Sequence, residues 1–380
     1  MIADYETLKL IWWGLVGVLL IGFAVTDGFD MGVGTLLPWL GKTDSERRVM
    51  LNSIGPHWDG NQVWFITAAG SLFAVWPLVY ASAFSALYGA LIFTLLALFL
   101  RPVGIDYRSK LESARWRRHW DWMFFIGSVV PPLIFGVAFG NLFLGLPFAL
   151  DEYLRPHYDG GLLDLLTPFP LLCGLLSLSM LVMHGSVWLG LKTESDLRQR
   201  ANRVTVAAAI TTSLLFAVGG LWIWSGMNGL HILNMADPNA VADPLVKSVI
   251  VTEGAWLTNF TQRPEWLALP LTGLVLPLVT AFLARLQREG LAFFTSALSV
   301  ASIVATAGVA LFPFVLPSSL NPNHSLTLWD AAASALTLNV MLLVACVFVP
   351  TVLGYTIWSY TKLWGRISVD HLEKNRHSLY

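Results

Sequence analysis

The chain has 380 residues, of which 56% are hydrophobic and 12% charged, with a mean hydropathy of +0.64 and a formal net charge of −1. That balance excludes an ordinary soluble globular domain, and the near-neutral charge offers nothing to attract nucleic acid. The sequence reads as an all-α integral membrane protein.

A spanning helix needs ~20 mostly apolar residues to cross ~30 Å of hydrocarbon, because each residue rises ~1.5 Å and lipid satisfies no backbone polar group. By that test, about nine transmembrane helices packed as bundles are predicted, near 8–27, 57–76, 78–100, 121–143, 166–190, 204–226, 265–284, 291–313 and 335–358. The first segment comes after MIADYETLK, which has no basic leader, so it is expected to stay in place as an anchor rather than be cleaved. Only Trp76-Pro77 separates the second and third segments. Proline in the first turn of a helix forfeits no hydrogen bond, so a tight hairpin is expected there. The longest connection, about 227–264, has mixed polarity, and no low-complexity stretch or soluble insert divides the chain. One polytopic membrane domain over residues 1–380 is the simplest organisation.

All of the 23 Lys and Arg except Lys9, Arg155, Lys247 and Arg263 fall after the first, third, fifth and seventh segments or in the C-terminal tail. Short cytoplasmic loops are enriched in these residues, so the N-terminus is expected outside (periplasmic) and the C-terminus in the cytoplasm. Cys173 and Cys346 lie in apolar segments without CxxC spacing, which argues against zinc, an iron–sulfur cluster or a structural disulfide. Most of the 17 tryptophans sit near segment ends, as an interfacial belt requires. Gly28 with Gly32, and Gly136 with Gly140, are spaced to let helices approach closely. Pro131-Pro132, Pro270, Pro277 and Pro350 are expected to bend their segments.

Four polar stretches border or enter the membrane on the expected cytoplasmic side: TDGFDMG (26–32), PHWDGNQVW (56–64), RPVGIDYRSK (101–110) and RWRRHWDW (115–122). Asp27 and Asp30 are three apart and would share a helix face; Asp59 and Gln62 repeat that spacing, and His57 and Asn61 are four apart. Carboxylates at the hydrocarbon boundary are costly unless partnered, and where they are buried they can take up and pass on protons. Each one alone is equally well explained as a cap, an ion-pair partner for Arg101 or Lys110, or a solvated surface group. Together they favour a polar path entering from the cytoplasm.

His184 stands alone among apolar residues, near Met180 and Met183. A haem takes His or Met as an axial ligand, but a hydrogen-bonded core histidine or an interfacial one is the better explanation, and no second span supplies a partner. The chain is expected to bind no haem by itself. No Ser-His-Asp set, Walker loop, GxGxxG or HExxH is present, so a catalytic centre would have to come from a partner chain.

From IWWGLVGVLLIGFAVTDGFDMGVG through NSIGPHWDGNQVWFITAAGSLFAVWP, LFLRPVGIDYRSK and WDWMFFIGSVVPPLIFGVAFGN to FPFVLPSS, SLTLWDA and the terminal NRHSLY, the chain resembles subunit II of the cytochrome bd quinol oxidases, in its proteobacterial type. The resemblance runs essentially end to end. It implies a multi-pass protein of the bacterial inner membrane that supports a haem-bearing subunit I in oxidising quinol and reducing dioxygen to water. Haems b558, b595 and d are implied on subunit I, a structural quinone in subunit II of some members, and small single-span accessory subunits. On the matching positions it implies a proton path through Asp59, Asp27, Asp30, Asp106 and Lys110, and an oxygen path lined by Trp64. A proton-coupled secondary transporter is the rival from another class, although such a carrier would show charged or broken positions near the midplane of later spans. A purely structural membrane scaffold is the second rival.

Overall fold

The computed structural model describes residues 3–368. The terminal NRHSLY segment, together with His371 and His377, lies outside the described residues.

Helix α1 (Tyr5–Leu40) starts on Asp4, whose carboxylate accepts from the Thr7 backbone N–H at 3.0 Å, and runs for 36 residues. The predicted first span, 8–27, therefore ends too early. TDGFDMG lies inside this helix, and every residue from Asp27 to Leu37 is buried. Aspartates mimic a span end on a hydropathy scale, but neighbouring helices enclose this stretch on all sides, so protein takes the place of lipid.

Helix α2 (Asp44–Ile54) is too short and polar to span, and begins with a reciprocal cap between Thr43 and Glu46. Its second half, Val49–Ile54, is buried beneath Trp188, whose indole N–H donates to the Ser53 carbonyl at 3.1 Å. It delivers the chain directly into PHWDGNQVW. Helix α3 (Trp58–Val75) meets α4 (Pro77–Ala86) at a 119° bend, and α5 (Tyr88–Arg108) comes next. The expected break at Trp76-Pro77 is present, but the third span is Tyr88–Arg108 rather than 78–100, because α4 is a separate short helix. Two contacts anchor the bend: the Ala333 N–H donates to the Val75 carbonyl at 2.7 Å, and the Trp76 indole donates to the Leu328 carbonyl at 3.3 Å.

The remaining helices are α6 (Ala114–Leu144), α7 (Pro168–Lys192), α8 (Ser195–Trp224), the short α9 (Thr258–Gln262), α10 (Ala268–Arg285), α11 (Glu289–Leu311) and α12 (Ala335–Lys362). Among the described residues, eight helices are long and apolar enough to cross a membrane, or nine when the bent pair α3–α4 is taken as one span. Helix α1 packs against α3, α6, α7 and α11, whereas α12 lies at the margin and buries only Leu338, Asn339 and Leu342.

The glycine pairs act as spacers. A Cβ on Gly32 would stand 2.9 Å from the Gly185 Cα, which fixes the close crossing of α1 and α7. A Cβ on Gly136 would stand 2.6 Å from the Gly174 Cα, and one on Gly140 2.5 Å from the Pro170 Cα, where α6 crosses α7.

Three antiparallel hairpins, which a purely helical expectation omits, occupy the connections after α6, α8 and α11: β1 (Phe148–Leu150) with β2 (Pro156–Tyr158), β3 (Asn228–Asn234) with β4 (Ser248–Glu253), and β5 (Phe314–Leu316) with β6 (Leu326–Thr327). The β3–β4 connection is fastened to the start of α1. Buried Lys9 donates to the Pro238 and Trp329 carbonyls at 2.7 and 2.6 Å, and Lys247 pairs with Asp330 at 2.9 Å.

Candidate functional site

Asp27 and Arg101 form a bidentate pair, with Arg101 Nη2 and Nη1 at 2.6 and 2.9 Å from the two carboxylate oxygens and exposures of 0% and 1%. Arg101 belongs to α5, so the first turn of RPVGIDYRSK is what neutralises TDGFDMG. One helical turn further along α1, Asp30 is also fully buried. Its Oδ2 accepts from Asn61 Nδ2 at 2.7 Å, while its Oδ1 has no partner. The two aspartates, three apart on one face as their spacing implies, thus meet different fates: one carboxylate is fully occupied by a guanidinium, the other keeps a free oxygen.

PHWDGNQVW divides by helix face. His57 and Asn61 are buried toward α1 and α12, whereas Asp59 is exposed and Gln62 partly so on the opposite side. The His57 ring stacks on Tyr360 of α12 with centroids 4.3 Å apart and planes 10° from parallel, and the Tyr360 hydroxyl donates to Asn61 Oδ1 at 2.7 Å. Asp106, near the end of α5, and Lys110, just beyond it, are exposed. Asp59 lies within electrostatic reach of both Asp106 and Arg101. Around Asp59 and Asp106 the exposed face of α3 and α5 is largely apolar, with Val63, Ile66, Phe93, Leu96, Phe99 and Val103 beside the polar Gln62 and Thr67. Trp64 points away from that face. It is 7% exposed and packs among Leu19, Phe23 and Ala68, so closely on α1 that a Cβ on Gly22 would stand 2.5 Å from its ring.

The arginines near this end of the bundle are largely engaged. Asp121 accepts from Arg108 and Arg47, each at 2.6 Å, and Asp44 from Arg108 and Arg117 at 2.7 and 2.8 Å. Glu289 holds Arg198 at 2.7 Å and Glu46 holds Arg200 at 2.6 Å. Burial opposes ionisation of Glu46, but Arg200 and the Lys42 and Thr43 N–H groups outweigh it and keep its carboxyl below the ordinary value. This belt ties α2 to α5, α6 and α8, and so fixes where α3 begins.

His184 is the hydrogen-bonded core histidine that its isolation suggested. Its two ring nitrogens meet Ser296 Oγ at 2.8 Å and the Val25 carbonyl at 2.9 Å, and the ring stacks on Phe293. With both nitrogens taken, it does not fit a haem axial ligand.

The profile of the cytochrome bd terminal oxidase subunit II family matches residues 8–363, a stretch that includes every residue of this cluster. The chain belongs to the cytochrome bd terminal oxidase subunit II family. It is 55% identical over 377 residues to cytochrome bd-I ubiquinol oxidase subunit 2 of Escherichia coli (strain K12), covering 99% of this chain and 100% of that one. Similarity extends to a probable cytochrome oxidase subunit 2 of Haemophilus influenzae, 51% identical over 99% of this chain and 100% of that one, and to cytochrome bd ubiquinol oxidase subunit 2 of Bacillus subtilis, 33% identical over 94% and 96%. A chain of the bd oxidase structure from Geobacillus thermodenitrificans shares the fold, with a TM-score of 0.66 at 14% identity over 94% of this chain and 99% of that chain. As a subunit II of a bd oxidase, the protein is a multi-pass component of the bacterial inner membrane and works beside a subunit I in a haem-containing terminal quinol oxidase.

Helical spacing singles out Asp27, Asp30 and Asp59 and names Arg101 or Lys110 as a partner for a carboxylate, whereas Asp106, and Lys110 as a path residue, come from the family resemblance. Residue patterns miss Tyr360, which no local signal marks, and place Asp121, inside RWRRHWDW, as the first residue of the fourth span.

Proposed function

We propose that this chain supplies the complex with a proton-uptake path from the cytoplasm and part of the wall of an oxygen path, while subunit I carries haems b558, b595 and d and the quinol oxidation site. The observation that carries this reading is the placing of the carboxylates. Asp59 and Asp106 sit exposed on a largely apolar face of α3 and α5, where facing lipid would be costly. A protein partner with a water-lined seam removes that cost, so this face is assigned to subunit I, and the end of the bundle bearing α2 and the arginine belt to the cytoplasm.

Reducing one dioxygen to two waters takes four electrons, from two quinols, and four protons. Drawing the protons from the cytoplasm while quinol releases its own outside stores ~2.3 kcal/mol per charge per 100 mV. In this chain Asp106 and Lys110 stand at the mouth, Asp59 receives the proton on the exposed face, and Asp30 is the inner station because its Oδ1 is unoccupied. Asp27, saturated by Arg101, sets the local field rather than carrying the proton. Trp64 backs this segment and shapes the wall along which oxygen moves. A structural quinone within this chain and small single-span accessory subunits complete the same reading.

Quinol-driven oxygen uptake per haem d in the purified complex, wild type against Asp59→Asn, tests the proposal. Full haem content with turnover slowed more at high pH than at low pH is the expected result. Unchanged turnover would reduce the chain to a scaffold.

A further inference from the structure

Asn61 is hydrogen-bonded both to Asp30 and to the last helix. Its Nδ2 donates to Asp30 Oδ2 at 2.7 Å and its Oδ1 accepts from the Tyr360 hydroxyl at 2.7 Å. An amide can present its N–H or its C=O to a neighbour by a half-turn about the last bond, and the two forms occupy nearly the same space. An ionised Asp30 needs the N–H, whereas a protonated Asp30 can keep that N–H on Oδ2 with its proton on the unoccupied Oδ1, or turn an O–H on Oδ2 toward the C=O. Whichever end faces Asp30, the other must be satisfied in a buried site, where an unpaired polar atom is expensive. A phenol hydroxyl can do this in both cases, since it donates to a carbonyl and accepts from an N–H.

We infer that Tyr360 is a positioning residue for Asp30, acting through Asn61 so that the amide serves both protonation states. With Asp30 ionised, Tyr360 donates to Asn61 Oδ1, as in this structure. With Asp30 protonated on Oδ1 the same arrangement persists, and with the proton on Oδ2 the carboxyl O–H donates to Asn61 Oδ1, Asn61 Nδ2 donates to the Tyr360 oxygen, and the phenol hydrogen turns outward. Room for that turn exists, because Tyr360 is only partly buried and lines an open groove with Thr356, Ile357, Thr361 and Trp364. The proton itself stays on Asp30, and no proton passes through the amide. Stacking on His57 keeps the phenol ring in place while its hydrogen reorients. The charged and titratable groups facing this site are Asp27 on α1, Arg101 on α5, Asp59 and His57 at the start of α3, and Lys192 and the fully bonded His184 on α7. His57 meets Asn61 through its backbone carbonyl, which accepts from the Asn61 backbone N–H at 3.0 Å, and it is Tyr360 that holds the Asn61 side-chain amide on the side away from Asp30.

This inference rests on Asp30 being a proton station, and the test separates the two. Redox-induced infrared difference spectra of the complete purified oxidase would be compared for wild type, Asp30→Asn, Tyr360→Phe and Asn61→Leu. The carboxyl band lost in Asp30→Asn should be displaced in Tyr360→Phe, which keeps the ring and its stack, and displaced again in Asn61→Leu. Turnover in Tyr360→Phe should fall about tenfold, the effect of leaving one buried amide group unpaired in each cycle. A band that disappears in Asp30→Asn but stays unmoved in Tyr360→Phe overturns the positioning role and leaves the proton path standing. No band lost in Asp30→Asn overturns both. Haem content of each variant, with Asn61→Leu as the second route to the same relay, distinguishes these outcomes from failure to assemble.

Discussion

Substituting Arg101 by Met should disable the complex through its architecture rather than its chemistry. The guanidinium makes two bonds of 2.6 and 2.9 Å to Asp27, and neither residue is more than 1% exposed, so water neither screens the pair nor replaces it when one member is lost. Removing one partner of such a buried pair costs about 3–5 kcal/mol, because the remaining charge is stranded. Both side chains are enclosed by protein, so the loss falls at the high end. Asp27→Leu strands Arg101 and should cost a similar amount. The double variant strands neither, so it should recover about 2–3 kcal/mol relative to the sum of the singles. The assay is the rate of heat inactivation of the purified complex, followed by loss of haem absorbance, for wild type, both singles and the double. Strictly additive effects would refute the reasoning, since they would mean that the two side chains do not depend on each other for burial.

Gly32→Val should prevent close approach of α1 and α7, giving little assembled oxidase, whereas Gly14→Ala, on an open part of the same helix, should leave yield unchanged; haem per milligram of membrane checks both. Asp330→Asn should weaken the fastening of the β3–β4 connection by leaving buried Lys247 unpaired, measurable as faster amide exchange over residues 228–253 with turnover retained. The Arg155 backbone N–H, at 2.8 Å, is the first cause that holds the Asp151 carboxyl down to about 2 against an ordinary 3.8, with the Tyr153 N–H and the Arg155 guanidinium adding to it. A depressed carboxylate stabilises its turn fully above the ordinary value and ceases to do so as pH falls through about 2. Amide exchange at Tyr153 and Arg155 should therefore rise only toward that lower limit, and Asp151→Ala should raise it at every pH.

Hydropathy located the spans because a lipid-facing helix must be apolar over its whole crossing, and α7, α8, α10 and α11 contain almost the full predicted segments. It failed where that premise fails. Residues 27–37 of α1 are surrounded by protein, so aspartates could enter the helix and a composition window took them for its end. Proline at 77 announced a break but not its shape, because the 119° turn depends on Trp76 and Val75 being held by Leu328 and Ala333, far along the chain. The candidate site was legible as a set of acidic residues with helical spacing. Its internal logic was not: Asp27 finds Arg101 across 74 positions and Asn61 finds Tyr360 across 299, and no periodic pattern encodes a meeting at that distance.

The length of α1 has an electrical consequence. Its 36 residues extend for ~54 Å, well beyond ~30 Å of hydrocarbon, so a crossing that begins near Leu8 is nearly complete when the helix reaches Asp27 and Asp30. A proton loaded there from the α2 end has traversed little of the transmembrane voltage. On the proposed path the charging of Asp30 should thus respond weakly to membrane potential, leaving almost all of the work against the field to the proton's onward transfer.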